Sequence, residues 1–244
     1  MTSGHRWMSA RRWIVAAMIL AGGLLCVQCA PSTPPVGTPS SSEPASPAPT
    51  VTTSPSTSPA PAAVHPVTVA ELGPTWRPGC PAGPDQLRRI ELDHLGFDGR
   101  THRGDLIVHK DLVPQVITIF QELYRLRYPI EKMVPASRYA GGVDELSMQD
   151  NNTSAFNCRG IPGSRNWSLH AYGRAIDVNP LLNPYLDSRG GLQPANAGPY
   201  LDRNRRDPGL LHRDDPAVRV FTDRGWRWGG SWRSPIDYQH FEMR

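Results

Sequence analysis

Cysteine is scarce in this chain: four in 244 residues, two of them (Cys26 and Cys29) within the first 30. Cys80 and Cys158 are all that remains for a folded region, enough for one disulfide and no more. Long apolar runs are scarce too. Trp13 to Leu25 is the one candidate, and it falls short of the roughly 20 residues that span a bilayer unless extended through Val27. No lysine/arginine run with interleaved aromatics occurs, so the formal charge of +4 makes no case for nucleic acid. Solubility, or attraction to an anionic polymer, accounts equally well for that charge. Gly-x-Ser-x-Gly is also missing, which removes the nucleophile elbow that a serine hydrolase built on Ser168 would need.

What is present divides the chain in three. Arg6, Arg11 and Arg12 precede the Trp13–Leu25 run, the order of a secretory signal, so residues 1–30 are expected to be a signal peptide or a membrane or lipid anchor. Cys26 and Cys29 stand where a lipid-modified cysteine would follow. Residues 31–66 hold 11 of the 26 prolines and a single charge, Glu43. That composition cannot offset chain entropy, and it predicts a disordered Pro/Ser/Thr-rich linker. Extended at about 3.1 Å per residue, such a linker would reach up to roughly 100 Å. Residues 67–244 are enough for one domain with a core of its own. The expected location is outside the cytoplasm: the cell envelope if anchored, otherwise secreted. In that setting Cys80 and Cys158 are expected to pair.

Within the domain the pattern predicts an α+β fold, a small, mostly antiparallel sheet with flanking helices. Arg89–Asp93 and Asp105–His109 read as strands. Leu112, Val116, Ile119, Phe120, Leu123 and Leu126 repeat at the helical period, with Asp111 as cap and Pro114 tolerated in the first turn. Tyr128-Pro129 stops that helix. Ile130–Tyr139 reads as a strand interrupted by Pro135, Gly141–Asn157 as a polar loop, and Ala175–Val178 as a buried strand. Leu181–Pro216 is a long Pro/Gly/Asn/Asp excursion of the kind that forms rims and lids. Ala217–Arg224 reads as a short helix.

Two stretches carry the chemistry. Ser168-Leu-His-Ala-Tyr-Gly-Arg-Ala-Ile-Asp177 offers His170 and Asp177. Trp228-Gly-Gly-Ser-Trp232 leads into Asp237-Tyr-Gln-His240-Phe-Glu242 at the C-terminus. Asp177 stands in an apolar strand, where an unpaired carboxylate is costly, and a metal removes that cost. Two imidazoles and one carboxylate suit a catalytic zinc, because three protein ligands leave one position open. Asp237 is then left to move protons. Asp237 and His240 are an odd number of residues apart, so a regular strand would point them to opposite faces; the chain must bend between them. Glu242 shares the parity of His240 and is a candidate to support it. Histidines that merely satisfy a core are the competing reading, and His109 is expected to be one.

These two stretches resemble the bacterial zinc peptidases that include D-alanyl-D-alanine carboxypeptidases and L-alanyl-D-glutamate endopeptidases, over about Ile130 to the C-terminus. The resemblance implies Zn2+ held by His170, Asp177 and His240, with Asp237 as catalytic acid/base. It also implies an arginine upstream of the first motif holding substrate or oxyanion, Arg138 or Arg159. Ser168 would orient His170 or bound water, while Trp228 and Trp232 would pack the site. The implied partners are peptidoglycan stem peptides, met by a monomer. Carboxypeptidase members commonly carry Glu-x-x-His where this chain has Asp237-x-x-His240, and the Trp-Gly-Gly context is closer to the endopeptidase branch, so both bonds stay open. A non-catalytic cell-wall-binding domain on the same scaffold is the alternative; Asp237 counts against it, since a structural zinc has no use for a spare acid.

Overall fold

The computed structural model describes residues 58–161 and 163–244. The expected signal segment and the linker up to residue 57 lie outside the described residues. The last part of that linker span does not behave as one. Ala63–Pro66 forms strand β1, antiparallel to β2, with Val64 opposite Ile90. Val64 and His65 give this short stretch a backbone able to pair along an open sheet edge, and Pro66 sits at its end.

Helix α1 (Val69–Leu72) is closed by a capping box between Thr68 and Glu71. Strands β2 (Leu87–Leu95) and β3 (Thr101–His109) make the longest pairing, in register from Leu87↔His109 to Leu95↔Thr101. Alternation along them supplies two faces. Ile90, Leu92, Leu106 and Val108 point to the main core; Leu87 and Ile107 point to a second cluster with Leu72, Phe156, Cys158 and Ala171. The main core is closed by helix α2 (Val113–Arg125) through Val116, Ile119, Phe120 and Leu123, each worth about 1.5–3 kcal/mol when fully buried. Pro114 does lie in the first turn. Asp111 is not the cap: it falls in a 3-10 turn, Lys110–Leu112, where its N–H donates to the His109 ring. His109 is thus structural, as expected. Leu126 lies past the helix and is 44% exposed.

The next stretch departs from expectation. Only Lys132–Met133 forms a strand (β4), because Pro135 ends the run and Ala136–Arg138 turns as a 3-10 helix. The expected polar loop contains helix α3 (Asp144–Gln149) and strand β5 (Asn152–Thr153), which pairs in parallel with β4. Beyond it come β6 (Ala175–Asp177), the hairpin β7 (Tyr185–Leu186) and β8 (Leu192–Gln193), helix α4 (Pro216–Thr222), β9 (Arg227–Trp228), β10 (Ile236–Asp237) and β11 (His240–Glu242). In place of one sheet, the described residues form three small antiparallel sheets, in the orders β1-β2-β3, β6-β11-β9 and β10-β7-β8, beside the β4-β5 pair. The class is α+β. Phe241 of β11 stacks on Phe221 of α4 at 3.9 Å between ring centroids, fixing the last strand to the core. Cys80 and Cys158 are disulfide-bonded, which contributes on the order of 4 kcal/mol for so long a loop in the chain-entropy account. No helix of the described residues is long and apolar enough to cross a membrane.

Candidate metal and catalytic site

His170 is delivered by a 3-10 turn, Leu169–Tyr172. Ser168 caps this turn, its hydroxyl accepting from the His170 N–H at 3.3 Å. Gly173 ends it with φ +66, and a Cβ there would stand 2.7 Å from the His109 nitrogen. Only glycine fits both the backbone conformation and the close approach to β3. The chain then enters β6. There the Asp177 backbone exchanges hydrogen bonds with Ser154 at 2.9 and 3.0 Å, and β11 places His240 directly opposite Asp177.

Three donor side chains converge as a result. His170 Nε2 lies 3.1 Å from Asp177 Oδ2 and 3.1 Å from His240 Nδ1, and His240 Nδ1 lies 3.0 Å from Asp177 Oδ1. Zinc–ligand bonds near 2.0–2.1 Å give tetrahedral edges of about 3.3 Å, so the donor set fits that ion with small adjustment. The far nitrogen of each ring faces an oxygen, the Ala155 carbonyl for His170 and, at 3.5 Å, Glu242 Oε2 for His240. His170 Nδ1 donates to the Ala155 carbonyl at 2.5 Å, which leaves the Nε2 lone pair for a metal. All three side chains are buried. Burial alone would raise the Asp177 pKa, but the two histidines hold it far below the usual carboxylate range. Burial would lower that of His240, yet hydrogen bonds to Asp177 and Glu242 push it up to about 10. The three side chains lie within hydrogen-bonding distance of one another, and among the described residues they are a group that could hold a metal ion.

Asp237 arrives from another sheet. β10 pairs with β7, Asp237 opposite Tyr185, whereas β11 pairs with β6 and β9. Tyr238 and Gln239 make the bend that the parity of the sequence demands, and Asp237 lines the same cavity as the three donors. Gly229 makes room for it: a Cβ at that position would be 2.6 Å from the Asp237 carbonyl oxygen. Asp237 Oδ1 is buried without a hydrogen-bond partner. Burial, aided by the charge of Asp177, pushes its pKa up to about 7 against the pull of His240 and Arg159. A carboxyl poised there can accept and return a proton near neutral pH.

Of the two candidate arginines the structure brings in one. Arg159 lines the cavity, pairs through Nη2 with Asp144 Oδ2 at 2.9 Å, and keeps a buried Nε without a partner. Burial works against its charge, but Asp144, Asp177 and Asp237 more than compensate and raise its pKa. Arg138 is exposed at the end of the Ala136–Arg138 turn and does not line the cavity. Trp228 is buried and donates Nε1–H to the Tyr238 carbonyl, so it packs. Trp232 is half-buried, lines the cavity and lies 5.5 Å from the His240 ring.

The cavity measures about 410 Å3 and takes further lining from Tyr185, Asp187 and Gln193 on the β7–β8 hairpin. In the sequence these three lie inside one undivided Pro/Gly/Asn/Asp excursion. The readable signal was Asp187-Ser-Arg-Gly-Gly191, a turn in which Asp187 accepts from the N–H groups of Arg189 and Gly191, both at 2.7 Å.

Residues 162–243 match a protein family described as D-alanyl-D-alanine carboxypeptidase. Searches of curated proteins and of solved structures return no match.

Proposed function

From the match of residues 162–243 to a family described as D-alanyl-D-alanine carboxypeptidase, we infer that this chain is an exported zinc peptidase that cleaves peptide bonds in peptidoglycan stem peptides. The single observation that carries the catalytic reading is Asp237, a half-buried carboxylate with one buried, orphaned oxygen beside a His–Asp–His donor triangle. A structural metal site needs no such acid. His170 Nε2, Asp177 and His240 Nδ1 would hold the zinc, with the edges given above. When bound there, zinc supplies Lewis acidity toward a carbonyl oxygen and toward a water.

The residues of the chain do the rest. Asp237, ionised, takes a proton from the attacking water, becomes neutral, and returns that proton to the nitrogen of the leaving amine. Its raised pKa makes both transfers feasible at neutral pH. Arg159 turns its unpaired Nε–H toward the charge that develops on the carbonyl oxygen, while Asp144 fixes the guanidinium. Ser168 holds the turn that presents His170. The basic N-terminal signal pattern and the proline-rich linker support export and display at the cell envelope, and the family supports the stem peptide as substrate.

The test is cleavage of stem peptides measured beside zinc content. Asp237→Ala and Asp237→Asn should keep zinc and lose about 10²- to 10⁴-fold in turnover; Asp237→Glu should retain part of it. Unchanged turnover in Asp237→Ala would remove this residue from the mechanism. Binding of stem peptide without any cleavage by the wild-type protein would favour the non-catalytic cell-wall-binding reading.

A further inference from the structure

Glu242 is a buried carboxylate that the chemistry above does not use; its side chain is only 10% exposed, a costly place for a charge unless it is paired. Strand parity aims it. Phe241 points into the core, so His240 and Glu242 lie on the same face of β11. His240 presents Nδ1 to Asp177 and His170; with Nδ1 given to a metal, Nε2 would carry the proton, and it lies 3.5 Å from Glu242 Oε2. The other oxygen of Glu242 is buried without a hydrogen-bond partner and stands between two cations. Oε1 lies 3.1 Å from Arg227 Nη1, the residue directly opposite on β9, and 3.5 Å from Arg244 Nε. Arg227 in turn packs 6.0 Å above the Trp232 ring, which leans on His240.

Resting on the zinc reading, we propose that Glu242 is a positioning residue for the metal site, clamped by Arg227. It fixes the His240 ring with Nδ1 forward and strengthens that nitrogen as a ligand. The two histidines are thereby unlike: His170 is backed by a neutral carbonyl and His240 by a carboxylate. A charged acceptor raises the donor strength of an imidazole more than a neutral one does.

The experiment is zinc affinity by chelator competition on the full-length protein, together with the visible absorption of the cobalt-substituted form. Glu242→Ala should weaken zinc binding by about 10- to 100-fold and alter the cobalt spectrum. Glu242→Gln keeps an acceptor without charge and should lose less. Arg227→Met should move both readouts in the same direction by a smaller factor. Thermal unfolding of the metal-free variants separates a folding defect from a ligand effect, and the isosteric Gln variant carries the test if Ala fails to fold. Wild-type zinc affinity and an unchanged cobalt spectrum in both Glu242 variants would overturn the proposal while leaving the zinc reading intact. A wild-type protein that binds no zinc would overturn both.

Discussion

Asp177 and His240 face each other across the β6–β11 pair, Oδ1 to Nδ1 at 3.0 Å, although 63 residues separate them in the chain. Strand pairing alone brings them together. The same register sets Phe241 against Ile176 in the core, so packing that secures the fold also sets the donor spacing. The site is consequently a property of the docked C-terminal strand, and its chemistry depends on groups at fixed distances from that pair.

Arg159 and Arg138 should separate cleanly. Arg159→Ala removes the cavity arginine and should lower kcat by about 10²- to 10³-fold, the scale of losing one oxyanion donor. Arg138→Ala, at an exposed turn, should stay within about twofold of wild type by the same assay. Steady-state cleavage of a stem peptide by both variants checks this, and equal losses would return Arg138 to the site.

Gly229→Ala probes how Asp237 is seated. The added Cβ meets the Asp237 carbonyl at 2.6 Å and the Asp237 Cβ at 2.8 Å, so β10 must shift. Overpacking of this kind costs about 1–3 kcal/mol, and the displaced carboxylate should cost turnover as well. Zinc content should be unchanged, because the three donors sit on other elements. Denaturant unfolding, metal analysis and activity on the one variant give the three readings.

His94 supplies a pH signature away from the site. It is 4% exposed on β2, with Nδ1 lacking a partner, and burial lowers its pKa to about 4, helped by the charge of His102. The unfolded chain takes up the proton near pH 6.5, whereas the folded protein resists until about 4. Between those values the unfolded state binds more protons, so stability falls as pH drops through that window. A shift of that size corresponds to about 3 kcal/mol. Urea unfolding from pH 7 to 4 should show the slope, and His94→Leu should flatten it.

Much of this was legible in the sequence, for physical reasons that differ by element. The α2 face announced itself because four core residues recur at the helical period. That Asp177 would be found beside partners was readable because a carboxylate in Ala-Ile-Asp-Val needs a counter-charge, and parity alone required the bend between Asp237 and His240. Helix α3 was hidden: Asp-Glu-Leu-Ser-Met-Gln is less than two turns and buries only Ser147 and Met148, too short for a period to show. The parallel β4–β5 contact joins two residues on each side, below what alternation can reveal. Nor could composition choose between Arg138 and Arg159. That choice rests on Asp144, which holds one of them at the cavity and comes from the helix that was missed.

If the chain is a zinc peptidase, cleavage must follow zinc. The measurement is mass spectrometry of purified muropeptides incubated with the purified protein as isolated, after chelation, and after return of one equivalent of zinc. The prediction is a loss of stem-peptide cleavage on chelation and its recovery with zinc, with no recovery in His240→Ala. Cleavage that persists in the metal-free protein, or that zinc restores equally in His240→Ala, would contradict it.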